Sequence, residues 1–440
     1  MTRHLPEPAD SGAPSHQKAA ATGWRGFRRR PWLVVVGLLV AAACFRATQN
    51  MALTTFSLLA HDALGLQVGA IGGLAAAAAV VTVVVNAAVA SRVPVDRSRL
   101  AAAGGIALLV PSLLLLGTAH SFWVLGLGAL LLGLGGGVVF PALATAIGQV
   151  EAAARERALA LFTLTLSGSL AVGPLLESGV LGLAHQNVRS PYLVFLVLPC
   201  LGVAALVLLG RERAGAAAAA AGMGSDSARA RTTVPLRSRG LAALRRSPLG
   251  NPGWRLAVNG QLLYSIPFAA ITVFGAVMAR IAFGVTPEQA QLGFSCFFVT
   301  SLGARAMVAW QAPITHKIPL LLGSGGLTAV GLLLLAAGHG FGMLLLAMGV
   351  LGVPHGLTFP IVLAQVAASA APGGLAGANA ALLAVSNSSS IVVPAVLGVL
   401  IPITGYRGMA LLLLLPVIGF GGILWGQRRM EFDSGGAALG

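Results

Sequence analysis

Few side chains in this sequence can do chemistry, and those that can stand in apolar surroundings. Arg46 lies in the apolar run from Trp32 to about Ala60, followed at i+3 and i+4 by Gln49 and Asn50, a spacing that puts all three on one face of a helix. If that run crosses a membrane, a charge near its middle costs at least ~2.5 kcal/mol. Arg46 therefore needs water, an anion or backbone carbonyls. It is either a cavity residue that binds substrate or a structural residue satisfied by helix carbonyls. Arg305 stands about two turns before Pro313, where its side chain either faces the same cavity or reaches the interface. The two arginines together can clamp a carboxylate or phosphate. His355, one turn before Phe359-Pro360, either titrates during a cycle or stays neutral on a backbone group. Glu177 is the one carboxylate well inside an apolar run. It is the candidate for carrying a coupling proton, unless it simply reaches outer water. Gln261, Tyr264 and Asn387, the last within Ser386 to Ser390, complete the expected substrate-binding set.

Other chemistries find no footing in the sequence. Gly133 to Gly137 is glycine-rich, but it lies in an apolar run without the Lys-Ser/Thr that a nucleotide loop needs, so close helix packing is its expected role. Cys44, Cys200 and Cys296 lack metal or disulfide spacing and read as packing residues. No nucleophile motif or metal-ligand spacing occurs, and no enzymatic activity or cofactor is expected.

The elements that must position these residues follow from composition. Hydrophobic residues make up 57% and charged residues 9% of the 440, against about 25% charged in soluble domains. The chain is expected to be all-α and to lie in the membrane many times over, with helices near 32–60, 67–90, 100–118, 122–149, 158–182, 191–210, 255–279, 290–312, 318–338, 341–368, 378–402 and 408–426. The first apolar run is too long for a signal peptide and lacks a cleavage site, so it is expected to be retained.

The net charge of +16 follows topology and does not point to nucleic acid. With a cytoplasmic N-terminus, 23 of the 28 Lys and Arg fall in or beside cytoplasmic segments; Arg189, Arg280 and Arg407 fall outside, and Arg46 and Arg305 lie within helices. The sequence thus divides into a basic tail (1–30), a first six-helix bundle (31–210), a basic linker (211–254), a second bundle (255–426) and a tail (427–440). Both tails and the linker are expected to be cytoplasmic, and the first tail and the linker to be without compact structure. Six tryptophans near helix ends match interfacial anchoring.

The second bundle repeats the first at an offset of 219 residues. Gly65 recurs as Gly284, Pro94 as Pro313, Gly133 as Gly352, Gly137 as Gly356, Phe140-Pro141 as Phe359-Pro360 and Ser167 as Ser386. Twelve helices in two repeats around a basic linker resemble the major facilitator superfamily over about residues 32–426. The loop between the second and third helices is similar to that family's signature at Asp96-Arg97 and Arg99, without its usual glycines. Gly173-Pro174 followed by Glu177-Ser178 partly matches the helix-5 signature of its antiporters.

The resemblance implies a central cavity lined by the first, fourth, seventh and tenth helices, a conformational-switch role for Asp96, Arg97 and Arg99, and secondary transport by alternating access. The expected function is export of a small organic, anionic solute across the cytoplasmic membrane, driven by inward proton flow. Uptake of an organic or inorganic anion is the alternative. A membrane enzyme or a non-transporting receptor on the same scaffold is the rival from another class. The partners implied are a small-molecule substrate, a proton or other coupling ion, and the lipid bilayer.

Overall fold

The computed structural model describes residues 30–150, 152–208, 251–311, 314, 316–370 and 375–436; no strand occurs among them. The basic tail up to residue 29 and the linker from 209 to 250 lie outside the described residues, so the expectation about their structure is not addressed. The first half comprises α1 (Arg30–Leu58), α2 (Val68–Arg92), α3 (Ser98–Ala107, resuming as Leu109–Gly117), α4 (Phe122–Gly148), α5 (Ala152–Leu183) and α6 (Ser190–Val194, resuming as Val197–Leu208). The second comprises α7 (Pro252–Phe283), α8 (Pro287–Trp310), α9 (Lys317–Ala337) and α10 (Gly340–Ser369). Its last two helices are α11 (375–404) and α12 (406–412, resuming as Leu414–Gly436), separated at Gly405, whose φ of 69° breaks the helix. Among the described residues eleven helical stretches are long and apolar enough to cross a membrane; the last, of 52 residues, contains both α11 and α12, so twelve helices have the length and composition for a pass.

Local sequence explains where the helices begin and end. Asn251 caps α7, accepting from the backbone of Gly253 and Trp254, with Pro252 at its first position. Gly284 then ends α7 at φ 68°, and Thr286 with Gln289 forms a capping box that starts α8. Gly65, the counterpart of Gly284, holds φ 64° at the matching turn between α1 and α2. Helices α5 and α7 each run several residues past the apolar stretch, because hydropathy marks the span while polar residues such as Arg155 extend the helix beyond it.

The repeat is visible in side-chain contacts as well as in order. A Cβ on Gly133 or Gly137 would run into the backbone carbonyls of Ala78 or Thr82, and one on Gly352 or Gly356 into those of Phe297 or Ser301. Each of these partners is related to its counterpart by the same 219 residues. These glycines therefore let α2 approach α4, and α8 approach α10, to backbone contact, as close helix packing in lipid requires. The phosphate-loop alternative for Gly133 to Gly137 falls away with them.

Between the halves, α1 packs on α7, α2 on α11 and α5 on α8. Gly72 meets the backbone of Pro394, and Gly69 that of Gly398. On the side where α1 turns into α2, α1 unwinds into a π-helical turn, Leu59–Ala63, that places Asp62 3.1 Å from Arg280 of α7. Nearby, Gln186 donates to Glu288 at 3.0 Å and accepts from the Glu288 backbone at 3.1 Å. These bonds tie the two halves together on this side, and one further bond joins them at mid-depth.

The three arginines that break the positive-inside pattern all serve this side. Arg280 pairs with Asp62, Arg189 donates to Ala119 O at 2.9 Å, and Arg407 donates to Ala282 O at 3.0 Å and Gly338 O at 3.2 Å. The latter two satisfy carbonyls at helix C-terminal ends, where a cation is also favoured by the helix dipole. Among the described residues the tryptophans differ in exposure. Trp32, Trp123, Trp310 and Trp425 are exposed, but Trp254 is buried, because the capped start of α7 packs it inside the bundle.

Candidate functional site

The polar residues singled out from sequence collect at mid-depth between the halves. Arg46 is on α1 and donates to Gln49 Oε1 at 3.0 Å, so the helical spacing of the two holds the guanidinium in place. Gln49 in turn fits only because α4 carries no side chain opposite it: a Cβ on Gly136 would collide with Gln49 Nε2. From the other half, Arg305 on α8 crosses to donate to Ser167 Oγ on α5 at 3.0 Å. Arg305 is thus turned inward and not toward the interface. Ser167 lies on α5, which packs on α1 and is tied to it by Asn50 and Leu170, so the two guanidiniums come to neighbouring helix positions.

Tyr264 of α7 and His355 of α10 are joined through Oη and Nδ1. Around them lies an aromatic cluster: His355 stacks on Phe268 with centroids 4.3 Å apart, Tyr264 on Phe268 at 5.6 Å, and Phe297 lies 5.1 Å from His355. His355 Nε2, Gln261 Oε1 and Arg305 Nε are buried atoms with no partner among the described residues. Such atoms lose roughly 1–3 kcal/mol each unless a water or ligand meets them.

Not every expected residue joins this group. Asn50 is buried and donates to Leu170 O at 3.1 Å, so it ties α1 to α5. Gln261 and Ser265 pair with Ser386 (3.0 Å) and Ser389 (2.9 Å) on α11, whereas Asn387 is half-buried and takes no part in those bonds. Asp96 and Arg97 sit exposed in a 3-10 turn, Val95–Arg97, and Arg99 in the first turn of α3. Gln149, at the end of α4, binds Val95 O at 2.6 Å and Ser98 Oγ at 2.9 Å, which anchors the loop carrying all three.

Glu177 is fully buried and does not reach outer water. It faces α1, where Thr54 Oγ1 donates to it at 3.4 Å and Thr55 Oγ1 also donates. Among the described residues the ion pairs involve Asp62, not Glu177.

Sequence reasoning missed Phe268, Phe297 and Phe298, because aromatic residues in an apolar helix carry no local mark of a site. The repeat held the signal: at the shared offset Phe268 answers Gln49, and His355 answers Gly136. It also missed Asp62, which stood at a helix end where an exposed acid is unremarkable. No group of three or more His, Cys, Asp or Glu able to hold a metal occurs among the described residues.

Comparison with known proteins bears on this arrangement. The family model described as Major Facilitator Superfamily matches residues 2–150. A variant of the nucleoside transporter NupG superposes with a TM-score of 0.72 at 13% identity, over 90% of this chain and 99% of that one. A bacterial homolog of the human lysosomal transporter Spinster, inward-facing and unoccupied, gives 0.69 at 12% identity over 93% and 99%. The fold is that of the major facilitator superfamily. The peptide transporter POT in complex with sulfate has it too, with a TM-score of 0.65 at 15% identity over 90% of this chain and 95% of that one. No curated protein matches the chain. Within the major facilitator fold of this chain, the two arginines lie on the first and eighth helices and so come from opposite halves.

Proposed function

We propose that the protein is a secondary transporter that carries a small organic anion across the cytoplasmic membrane by alternating access, exporting it against proton entry. The observation that carries the anion reading is the pair Arg46 and Arg305, brought from opposite halves to neighbouring, half-buried positions where their hydrogen-bond partners, Gln49 and Ser167, are neutral. Two guanidiniums held together without a carboxylate repel each other, and an anion between them removes that repulsion while taking charge-assisted hydrogen bonds from both. Because each arginine belongs to a different half, the ligand that joins them also biases how the halves sit. The halves are latched on the α1–α2 side, so the site is reached from the side of the α2–α3 loop. The Lys and Arg distribution makes that side the cytoplasm.

Proton coupling is assigned to Glu177. It is a buried carboxyl on α5, held by two α1 hydroxyls, on the helix that partly carries the antiporter signature. An acid lodged between two mobile helices can link its proton to their packing. The switch role of Asp96, Arg97 and Arg99 rests on the anchored loop they occupy, and small changes there pass to α3 and α4 through Gln149.

The test is transport by the purified protein in proteoliposomes, together with its melting temperature. Arg46→Gln is expected to abolish transport while the protein melts as before; Arg46→Lys restores only part of it, since an ammonium lacks the guanidinium fork. Full transport by a well-folded Arg46→Gln protein overturns the anion reading. Vesicles loaded with substrate and given an inward proton gradient decide the direction: efflux supports export, and accumulation supports uptake.

A further inference from the structure

The two halves furnish one pair of equivalent positions with different chemistry. At the shared offset of 219, Gln49 corresponds to Phe268 and Gly136 to His355. In the first half the pair is polar, with the Gln49 amide lodged against Gly136 and holding Arg46. In the second it is aromatic, with the His355 imidazole stacked on Phe268 at 26° between planes and Phe297 and Phe298 against its other sides. At the paired positions the first half therefore presents a polar face that holds Arg46 and the second a flat, π-faced one. Tyr264 is stacked on Phe268 and joined to His355.

Self-packing accounts for the rings but not for the polar atoms stranded among them. His355 is 4% exposed and Gln261 1% exposed, yet His355 Nε2 and Gln261 Oε1 have no partner among the described residues. A small cavity is lined by Tyr264, Phe268 and Phe297 together with Thr328, Leu351 and Pro354. Buried polar atoms beside a π-surface match a ligand that is itself flat, apolar in its faces and polar at its edge.

Resting on the anion reading above, we propose that the substrate is an aromatic organic acid: its acid group lies between Arg46 and Arg305, its ring lies against Tyr264 and Phe268, and a polar ring substituent meets His355 Nε2 or Gln261 Oε1. A simple inorganic anion uses the arginines alone and leaves the aromatic wall without a role. An aliphatic acid fills the space but cannot stack.

The experiment is isothermal titration calorimetry of the full-length protein in detergent with benzoate, 4-hydroxybenzoate, acetate, inorganic phosphate and benzamide. Benzoate is expected to bind at least tenfold tighter than acetate or phosphate, 4-hydroxybenzoate tighter again, and benzamide weakest of the ring compounds. Phe268→Leu, which keeps apolar volume, is expected to bring benzoate down to the affinity of acetate. Acetate or phosphate binding as tightly as benzoate, or benzoate and 4-hydroxybenzoate not binding at all, overturns the aromatic class; in the first case the anion reading stands. Benzamide binding as tightly as benzoate, with Arg46→Gln leaving both unchanged, overturns the anion reading itself.

Discussion

At Glu177 the carboxyl is enclosed by α5 and α1, touched by two threonine hydroxyls and without an ion pair to either Arg46 or Arg305 among the described residues. That placement gives the residue a test of its own. Glu177→Gln keeps the side chain's size and its hydroxyl neighbours but removes the exchangeable proton, so substrate exchange down its own gradient is expected to persist while proton-driven movement is lost. Proton-driven efflux surviving in this variant, measured in the same vesicles, removes Glu177 from the coupling role. Arg46 was legible from sequence because a lone charge with Gln49 at i+3 in an apolar run has few ways to be satisfied. His355 was legible as a titratable group at mid-helix. Its aromatic neighbours were not, because stacking is decided by which faces of α7, α8 and α10 meet, and single-helix periodicity does not contain that information.

Among the elements, α4 and α10 show how glycine is used in two ways at corresponding depth. Gly352 of α10 faces the backbone carbonyl of Phe297, which cannot move without moving α8. Gly136 of α4 faces the free end of the Gln49 side chain, which can. Gly352→Ala is therefore expected to cost about 1–3 kcal/mol of stability through overpacking. Gly136→Ala is expected to leave the melting temperature nearly unchanged but to push Gln49 off Arg46, lowering transport roughly tenfold for the loss of a hydrogen bond to a charged group. Melting curves and initial transport rates of the two variants separate the cases, and equal loss of stability in both sinks the distinction. Twelve helices and their repeat were readable because span length and offset are linear properties of the chain. The breaks at Leu108 and Gly405 and the π-turn at Leu59–Ala63 were not, since they depend on how each helix meets its neighbours.

At the scale of the whole molecule, the latch on the α1–α2 side sets which conformation is populated. Asp62–Arg280 and Gln186–Glu288 join the halves there. Arg280→Ala is expected to loosen this closure. Ser57, fully buried on α1 beneath the latch, offers a reporter: in a protein freed of Cys44, Cys200 and Cys296, a Ser57→Cys thiol should react faster with an impermeant reagent from the α1–α2 side once Arg280 is replaced. An unchanged rate means that the ion pair does not hold the gate.

The two guanidiniums also bear on the membrane voltage. When the halves rock, the surrounding field is redistributed about Arg46 and Arg305, and each elementary charge carried through the full potential exchanges about 2.3 kcal/mol per 100 mV. An empty carrier presents both positive charges to that field, whereas one loaded with an anion presents fewer. On the proposed anion cycle the voltage therefore acts more strongly on the return of the unloaded protein than on the delivery of substrate, and the energised state of the membrane becomes a clock on the empty half of that cycle.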